Sequence, residues 1–324
     1  MLVCFNPIAG RGKGRAVAEA IARRLPGAVL EPRIAHEVET ERWASANGVL
    51  AVGGDGTLRT VVSALLAALP GELPPIGVVP LGTANLMAQH VGMIPPGLFR
   101  PDPTDLLGLL GPVQRMVTGT DTLSPLGIEK RAEIAAAAVR RGRVQRLDIA
   151  DTNQGLFLLM AGVGLDGHVI HALQTARSGP IRKIDYVPAA LSAVLRYDFP
   201  ELTITVDGER IAPPTRGLAF CANAPEYGTG FPLLPDARSD DGILDVCLLP
   251  ASHIGHLLKL TAAAWAGHHH RLEGVTTARG KQVRIDADRP APVQIDGEAA
   301  GKTPLTITIS DRQLPLLTGE ASVS

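Results

Sequence analysis

Three short apolar runs in the first 90 residues each end in a glycine-rich or polar turn and lead into a helical pattern. The turns begin at Asn6, Gly53 and Leu81. Strands that alternate with helices predict a parallel sheet, because parallel strands are joined by crossovers that are usually helices. Such sheets bind ligands at the carboxyl ends of their strands. The sequence therefore predicts that all three turns lie at one edge and form one candidate site.

The central turn is Gly53-Gly54-Asp55-Gly56-Thr57, which follows the apolar run Gly48 to Val52. Its glycines let the backbone pass close to a ligand, and the helix that follows offers unpaired N–H groups to an anion such as phosphate. A carboxylate would repel a bare polyphosphate, so Asp55 indicates contact through Mg²⁺ or a hydrogen bond to a ribose or substrate hydroxyl. The alternative is an ordinary Asp-Gly turn followed by a Thr cap.

The first turn, Asn6 to Gly14, carries two cations, Arg11 and Lys13, that could contact phosphate. It contains no Gly-Lys-Ser/Thr and is therefore not a Walker A loop. A flexible surface loop with solvated cations remains the alternative for this segment.

The pattern of apolar residues changes after a predicted helix at Glu129 to Arg140. Residues 144–310 consist mostly of short alternating runs separated by turns such as Asp207-Gly208 and Asp296-Gly297, which predicts an antiparallel sandwich or barrel. At 324 residues, two domains are the expectation. The predicted strands are Val144–Ile149, Leu156–Ala161, Leu202–Val206, Gly217–Ala222, Ile243–Leu249, Val283–Ile285, Val293–Ile295 and Leu305–Ile309, with helices near Tyr186–Leu195 and His253–Ala266.

Composition excludes several classes of function. The formal net charge of -1 argues against a protein that mainly binds the phosphate backbone of nucleic acids. The three cysteines, Cys4, Cys221 and Cys247, lie in apolar runs without metal spacing, as in a reduced cytosolic protein. Met1 leads straight into a predicted strand, so no signal peptide is expected. No run of about 18 apolar residues occurs, so any membrane contact is expected to be peripheral.

Further motifs follow these turns along the chain, and together they resemble the diacylglycerol kinase catalytic-domain family. That family also includes sphingosine kinases and bacterial YegS-like lipid kinases. Each motif alone is weak, but they occur in the family's order over nearly the whole chain. The motifs are Asn6-Pro7, Gly53-Gly54-Asp55-Gly56-Thr57, Pro80-Leu81-Gly82-Thr83-Ala84-Asn85, Ala161-Gly162-Val163-Gly164-Leu165-Asp166, Tyr227-Gly228-Thr229-Gly230, Pro235-Asp236-Ala237, Asp240-Asp241-Gly242-Ile243-Leu244-Asp245 and Gln294-Ile295-Asp296-Gly297-Glu298.

The resemblance implies an α/β plus all-β fold. The first domain is expected over residues 1–142, as a nucleotide-binding α/β domain like that of phosphofructokinase and NAD kinase. The second is expected over 143–310, as an antiparallel β-sandwich that takes the lipid substrate. A last strand at 312–317, within 311–324, is expected to return to the first domain. Residues 93–125 are Pro- and Gly-rich and look inserted.

The resemblance also implies two cofactors, ATP and Mg²⁺. A structural Mg²⁺ is expected at the Asp240-Asp241-Gly242 turn, with the Asp241 carboxylate and the carbonyls of Arg238 and Ile243 as ligands. Oxygen ligands from a tight turn suit Mg²⁺, although an ordinary hairpin turn is the alternative. The expected ATP-binding residues are Asn6, Lys13, Gly53, Gly54, Asp55, Gly56, Thr57 and Thr83.

Asp296 and Glu298 are the catalytic candidates, together with Asp55 near the Mg²⁺–phosphate. Asp296 and Glu298 flank one glycine after a strand, so both can project from one turn. A carboxylate there could take the proton of a lipid hydroxyl. We favour Asp296 as the base, with Glu298 orienting or sharing the role. An exposed turn without catalytic function is the alternative, because Asp-Gly-Glu is a common sequence.

The leading hypothesis is an ATP- and Mg²⁺-dependent lipid kinase that phosphorylates diacylglycerol or a related lipid. The expected partner is a lipid at the membrane surface, for a cytoplasmic protein with peripheral membrane contact that could form a homodimer. Two departures from the family pattern, Ala35 and Leu86, put ATP affinity in doubt. The alternatives are an NAD kinase-like enzyme, which shares the Gly-Gly-Asp-Gly-Thr loop, and a non-catalytic nucleotide- or lipid-binding regulator.

Overall fold

The computed structural model describes residues 1–32, 38–82, 85–94, 126–177, 197–225, 233–265 and 268–319. Several predictions lie outside these residues: Ala35, Thr83, most of the insertion at 93–125, the helix near Tyr186–Leu195 and the Tyr227–Gly230 motif. The chain divides into two compact units. The described part of the first lies within Met1–Arg100, Thr120–Leu147 and Arg312–Ser324, and that of the second within Asp148–Asp311.

The first unit is built on a parallel sheet, as the alternating pattern predicts. The strand at its centre, β3, pairs in parallel with β1 on one side and β4 on the other, and β2 extends the sheet beyond β1. The elements are β1 (Leu2–Phe5), α1 (Ala9–Gly12), α2 (Gly14–Arg24), β2 (Val29–Glu31), α3 (Thr40–Ala44), β3 (Val49–Gly53), α4 (Asp55–Ala68), β4 (Ile76–Pro80), α5 (Leu86–His90) and α6 (Ile128–Arg141).

The chain's last strand, Leu305–Leu317, completes this sheet, because Leu316 pairs in parallel with Ile76 beside β4. The predicted return of residues 312–317 is thus present. The core is made by buried strand residues and by one face of α4, whose period-3.6 apolar positions meet the sheet. On that face Leu58, Val61, Val62 and Leu65 are buried, whereas Leu66 and Leu69 are partly exposed.

The second unit is rich in antiparallel strands and has a buried core of Val, Ile, Leu and Ala side chains. Its elements are β5 (Val144–Thr152), β6 (Gly155–Phe157), β7 (Met160–Val163), α7 (Leu165–Arg177), β8 (Glu201–Val206), β9 (Glu209–Arg210), β10 (Thr215–Ala222), β11 (Leu244–Pro250), α8 (Ile254–Trp265), a 3₁₀ turn (His269–Arg271), β12 (Thr276–Gly280), β13 (Gln282–Ala287), β14 (Pro292–Ile295), β15 (Glu298–Lys302) and β16 (Leu305–Leu317).

Strand β10 takes part in both layers of this sandwich. Its first residues, Thr215 and Arg216, pair with β8, which continues through β13 to β16. Its later residues pair with β7 and β11, and these lead on to β14, β15 and β12. A strand that changes sheets in this way forms one corner of a sandwich. The predicted sandwich is confirmed.

The predicted strand Leu156–Ala161 is in fact two strands, β6 and β7. The ladder breaks between them because the N–H groups of Leu158 and Leu159 donate to the Asp296 carboxylate rather than to a neighbouring strand. The pattern also gave no indication of helix α7, which begins after Gly164 at a φ of 104°. Strands β12 and β15 were missed as well, since both are short and polar or glycine-containing.

Candidate functional site

Asp55 lies at the start of α4, directly after β3, as the motif predicts. Its two carboxylate oxygens accept hydrogen bonds from the main-chain N–H groups of Leu86 and Met87, each at 3.0 Å. The carboxylate therefore caps the start of α5 and joins the loops that follow β3 and β4. Burial raises the pKa of the Asp55 carboxyl above its ordinary value, while the N–H groups of Met87 and Leu86 oppose the rise.

Asn85 is hydrogen-bonded to Gly82, which lies just after β4. Its side-chain oxygen accepts from the N–H of Gly82 at 2.7 Å, and its side-chain amide donates to the carbonyl of Gly82 at 2.6 Å. Asn85 is buried and adopts a left-handed φ of 52°, which Asn tolerates better than most residues. The sequence motif contains Asn85 but gives no indication of its two hydrogen bonds to Gly82.

The loops after β3 and β4 approach each other through glycine backbone. A Cβ added to Gly82 would lie 2.6 Å from the Cα of Gly54, and one added to Gly54 would lie 3.0 Å from the Cα of Gly82. Neither position therefore has room for a side chain. This close approach places two main-chain turns beside the amino-terminal end of α4, where N–H groups and the helix dipole favour an anion.

The loop after β1 is shaped in a similar way. The Asn6 side-chain oxygen accepts from the N–H of Ile8 at 3.1 Å, an Asx turn, and the chain then turns through left-handed dihedral angles at Gly10 and Arg11. Arg11 and Lys13 are exposed on this loop. The donor set of the three loops, main-chain N–H groups and cations, suits the phosphates of a nucleotide. Thr83 lies outside the described residues.

In the second unit, Asp296 and Gly297 form the two-residue turn between β14 and β15. Both have positive φ, 49° and 78°, as a type I′ hairpin turn requires. The Asp296 carboxylate accepts three main-chain N–H groups, from Leu158, Leu159 and Met160, at 2.9 to 3.0 Å. Asp296 therefore anchors the hairpin turn to the break between β6 and β7.

Glu298 follows the turn as the first residue of β15 and is partly exposed. A buried glutamine, Gln294, supports the turn from β14, because its side-chain oxygen accepts from the N–H of Gly297 at 2.8 Å. A Cβ on Gly162 would lie 2.0 Å from an Asp166 carboxylate oxygen and 2.9 Å from the Gln294 amide nitrogen. Asp166 and Gln294 thus pack over the bare backbone of Gly162, a relation that only the folded chain reveals.

The Asp240-Asp241-Gly242 turn is also held by hydrogen bonds. One Asp241 carboxylate oxygen accepts from the N–H of Ile243 at 3.1 Å, and the other pairs with the Arg279 guanidinium. The carboxylate of Asp148, on β5, accepts from the N–H of Gly242 at 2.6 Å. Asp148 and Arg279 contact this turn from other strands. The sequence does not indicate either contact, since neither residue belongs to a local motif.

These contacts bear on the predicted Mg²⁺ ligands Asp241, Arg238 and Ile243. A cation at Asp241 would have to displace a guanidinium that already occupies the carboxylate. Within the described ranges, no three or more His, Cys, Asp or Glu side chains are grouped so that they could hold a metal ion. A metal at this turn would therefore depend on main-chain carbonyls for its other protein ligands and would compete with Arg279 for the Asp241 carboxylate.

Two family descriptions match most of the chain. Residues 1–100 match the diacylglycerol kinase catalytic domain, and residues 160–318 match the YegS C-terminal NAD kinase beta sandwich-like domain. The chain therefore belongs to the diacylglycerol kinase catalytic-domain family, as its motifs indicate. Its fold is an α/β unit followed by a unit that matches the NAD kinase beta sandwich-like description, and the family is one of lipid kinases.

Named relatives agree with this assignment. The chain is 27% identical over 326 residues to a diacylglycerol kinase of Mycobacterium tuberculosis, covering 96% of this chain and 93% of the relative. It is 22% identical to a diacylglycerol kinase of Staphylococcus aureus, covering 96% and 90%.

Solved structures show the same fold. A crystal structure of a diacylglycerol kinase from Bacillus anthracis has a TM-score of 0.60 at 19% identity and covers 99% of this chain and 97% of its own. A further crystal structure from that organism has a TM-score of 0.68 at 22% identity, with coverage of 99% and 98%. No helix in the described part of the chain has the length and apolar character needed to cross a membrane.

Proposed function

We propose that this protein is an ATP- and Mg²⁺-dependent lipid kinase that transfers the γ-phosphoryl group of ATP to a hydroxyl of diacylglycerol or a related lipid. The family assignment supports kinase chemistry, and the relatives named diacylglycerol kinase support this acceptor. Phosphoryl transfer needs positioning and charge neutralisation more than covalent chemistry by the protein. Both can be supplied by the kinds of groups that the two units present.

The proposal assigns the nucleotide to the first unit. The Gly53–Thr57 loop and the start of α4 would hold its phosphates, Asn6 would shape the neighbouring loop, and Lys13 would supply positive charge. Thr83 is expected to contribute a further polar contact. Mg²⁺ bound with ATP would neutralise the phosphate charge. Asp55 acts indirectly, since its carboxylate holds the start of α5 and thereby the loop that faces the glycine turn.

The proposal assigns the acceptor and its base to the second unit. The single observation that carries it is that three N–H groups bind the Asp296 carboxylate and fix the turn that Glu298 follows. Hydrogen bonds to a carboxylate stabilise its charged form, and the three here use three of its about four lone-pair positions, so protonation of Asp296 is disfavoured. We therefore propose Glu298 as the group that takes the acceptor proton and Asp296 as its positioning residue. This reverses the order of preference that the sequence suggested.

The Leu86 departure is compatible with this arrangement. Asp55 binds the main-chain N–H of Leu86, so this contact does not depend on the side chain at that position. The other departure, Ala35, lies outside the described residues. A membrane-surface lipid as acceptor, peripheral contact from the cytoplasm and a homodimer remain predictions.

The test is transfer of labelled γ-phosphate from ATP and Mg²⁺ to a panel of lipids in mixed micelles, with NAD and water as parallel acceptors. We expect a labelled lipid product, strongest with diacylglycerol. Label on NAD alone would contradict the lipid assignment and favour the NAD kinase-like alternative. Binding of ATP by folded protein, without transfer to any acceptor, would favour the regulator.

A further inference from the structure

The segment from Asp236 to Asp245 is the most acidic turn in the second unit, with four aspartates in ten residues. Two of them, Asp241 and Asp245, are mostly shielded from solvent, with side-chain exposures of 22% and 7%. Carboxylates held this close together and away from water repel each other unless a cation compensates them. The turn therefore requires a positive charge near Asp241 and Asp245.

Arg279 supplies that charge from the neighbouring strand. In the antiparallel pair of β11 and β12, Arg279 lies directly opposite Asp245. Its Nε donates to the Asp245 carboxylate at 3.1 Å, and its Nη2 pairs with the Asp241 carboxylate. A guanidinium can do this because its donors form a planar fork, whereas an ammonium is a single point charge. One side chain thus bridges two carboxylates that lie four positions apart in the sequence.

Electrostatics agree with the geometry. Burial raises the pKa of the Asp245 carboxyl, and the charge of Arg279 opposes that rise, while Asp241 adds to it. The hydrogen bond to Asp241, followed by the charge of Asp245, raises the pKa of Arg279. Arg238, which lies within the turn, has its Nε 3.3 Å from a carboxylate oxygen of the exposed Asp240. It pairs with neither of the shielded carboxylates, Asp241 and Asp245.

We infer that Arg279 is the resident cation of this turn and takes the place of the structural Mg²⁺ that the family resemblance implies. Two further contacts hold the main chain of the turn without a metal, while one carboxylate oxygen of Asp245 is buried without a hydrogen-bond partner among the described residues. Asp241 accepts from the N–H of Ile243, and Asp148 accepts from the N–H of Gly242, so the two carboxylates fix the main chain directly. The fold of the second unit should then be independent of divalent cations, and Mg²⁺ would be needed only together with the nucleotide.

The first experiment uses the wild-type chain without nucleotide. Its thermal midpoint should differ by less than about 1 °C between excess EDTA and millimolar MgCl₂, because a ligand that does not bind the native state cannot stabilise it. Titration with Mn²⁺, followed by electron paramagnetic resonance, should show no stoichiometric site. One tightly held ion per chain, with a midpoint that falls on adding EDTA, would overturn the inference whatever the variants do.

The second experiment exchanges the arginine for a metal. Arg279→Met leaves Asp241 and Asp245 without their cation and should lower the midpoint in EDTA by about 5 °C. MgCl₂ should restore part of that loss, and the double variant Arg279→Met/Asp241→Asn should show no restoration. Arg238→Met is the matched control, which should change the midpoint by less than about 2 °C and gain nothing from Mg²⁺.

An Arg279→Met protein no more responsive to Mg²⁺ than the wild type would overturn the inference, since the arginine would then serve packing alone. If that variant does not fold, Arg279→Lys takes its place in the same comparison. It keeps the charge but not the fork, so it should lose less stability and gain a smaller Mg²⁺ response. A lysine variant indistinguishable from the wild type in both respects would contradict the bridging role. None of these measurements requires kinase activity, so they can fail while the proposed function holds.

Discussion

Asp55 in the first unit and Asp296 in the second both fix main-chain segments by hydrogen bonds, but with different partners. Each precedes a glycine shortly after a strand ends, Asp55 as the first residue of α4 and Asp296 in a hairpin turn. Each accepts main-chain N–H groups from a distant part of its own unit. Asp55 binds two N–H groups 31 and 32 residues away, at the start of a helix. Asp296 binds three, 136 to 138 residues away, where a strand ladder is interrupted.

The difference shows how each unit provides free N–H groups. A helix always has unpaired N–H groups at its first turn, so α5 meets the Asp55 carboxylate without disturbing the sheet. A strand that is paired on both sides has no unpaired N–H groups. In the second unit the N–H groups become available where the ladder is interrupted between β6 and β7. In both places the aspartate of a motif that suggests catalysis fixes the main chain. Under the proposed function, the reacting groups are the neighbours whose positions it sets.

The largest effect that would test this comparison is expected at Glu298. Glu298→Gln should lower kcat by about 10²–10⁴-fold, because it removes the proposed proton acceptor while keeping the size of the side chain. The thermal midpoint should stay close to that of the wild type. Initial rates of phosphate transfer to diacylglycerol micelles measure the first quantity, and a thermal melt measures the second. The control is Glu209→Gln, which changes an exposed glutamate on β9.

If Glu298→Gln retained the wild-type rate while Asp296→Asn folded normally and lost it, the roles assigned here would have to be exchanged. Asp296 would then be the base despite its three hydrogen bonds. The pair of variants therefore distinguishes the base from its positioning residue, which neither variant does alone.

The second test compares the two anchors by stability. Asp296→Ala should lower the free energy of unfolding by about 3–5 kcal/mol, since it leaves three main-chain N–H groups without their acceptor. Asp55→Ala should cost less, about 1–2 kcal/mol, because it orphans two N–H groups and also removes a carboxylate that burial disfavours. Urea unfolding curves of both variants give these values. Equal losses would show that the number of N–H partners does not set the strength of the anchor.

The sequence predicts the frame of both units well, because periodic apolar residues directly reflect burial. The run Leu2–Phe5 coincides with β1, and the strand expected at residues 312–317 joins β4 in the first sheet. The three turns follow the strand ends where the pattern puts them. These features depend on local composition, which a sequence displays openly.

The hydrogen bonds and ion pairs that shape the candidate sites cannot be predicted from local composition. Asp296 binds main-chain groups of Leu158 to Met160, and main-chain donors are the same for every residue type except proline. Arg279 lies on β12, a strand of polar residues without apolar alternation, so even the strand that brings it to Asp245 escaped prediction. A motif can thus name an aspartate correctly and still leave open whether it reacts, anchors or pairs.

A third test concerns the glycine contact in the first unit. Gly82→Ala should raise the KM for ATP by about tenfold, because its Cβ would lie 2.6 Å from the Cα of Gly54 and push the two loops apart. Gly54→Ala, with a contact at 3.0 Å, should have the smaller effect. Gly71→Ala is the control, since a Cβ there would meet nothing within 4 Å. Unchanged KM values in both loop variants would show that nucleotide binding does not depend on this approach.

The smallest effect is expected at the cysteines, which report on each unit separately. Cys4 in β1 and Cys247 in β11 are both buried, and burial raises the pKa of each thiol to about 12. At pH 8 neither should react measurably with iodoacetamide in the native protein, because thiolate is the reactive form.

The same shift fixes the sign of the pH dependence of stability. Both thiols are neutral in the folded and unfolded chain below about pH 8.5, so the full stability is present there. Stability should fall as the pH rises from about 9 towards 12, because only the unfolded chain ionises readily. Labelling at increasing urea, read by mass spectrometry of the two peptides, would show whether the units open together. Earlier labelling of Cys4 would indicate that the parallel sheet opens before the sandwich, and simultaneous labelling would indicate one cooperative transition.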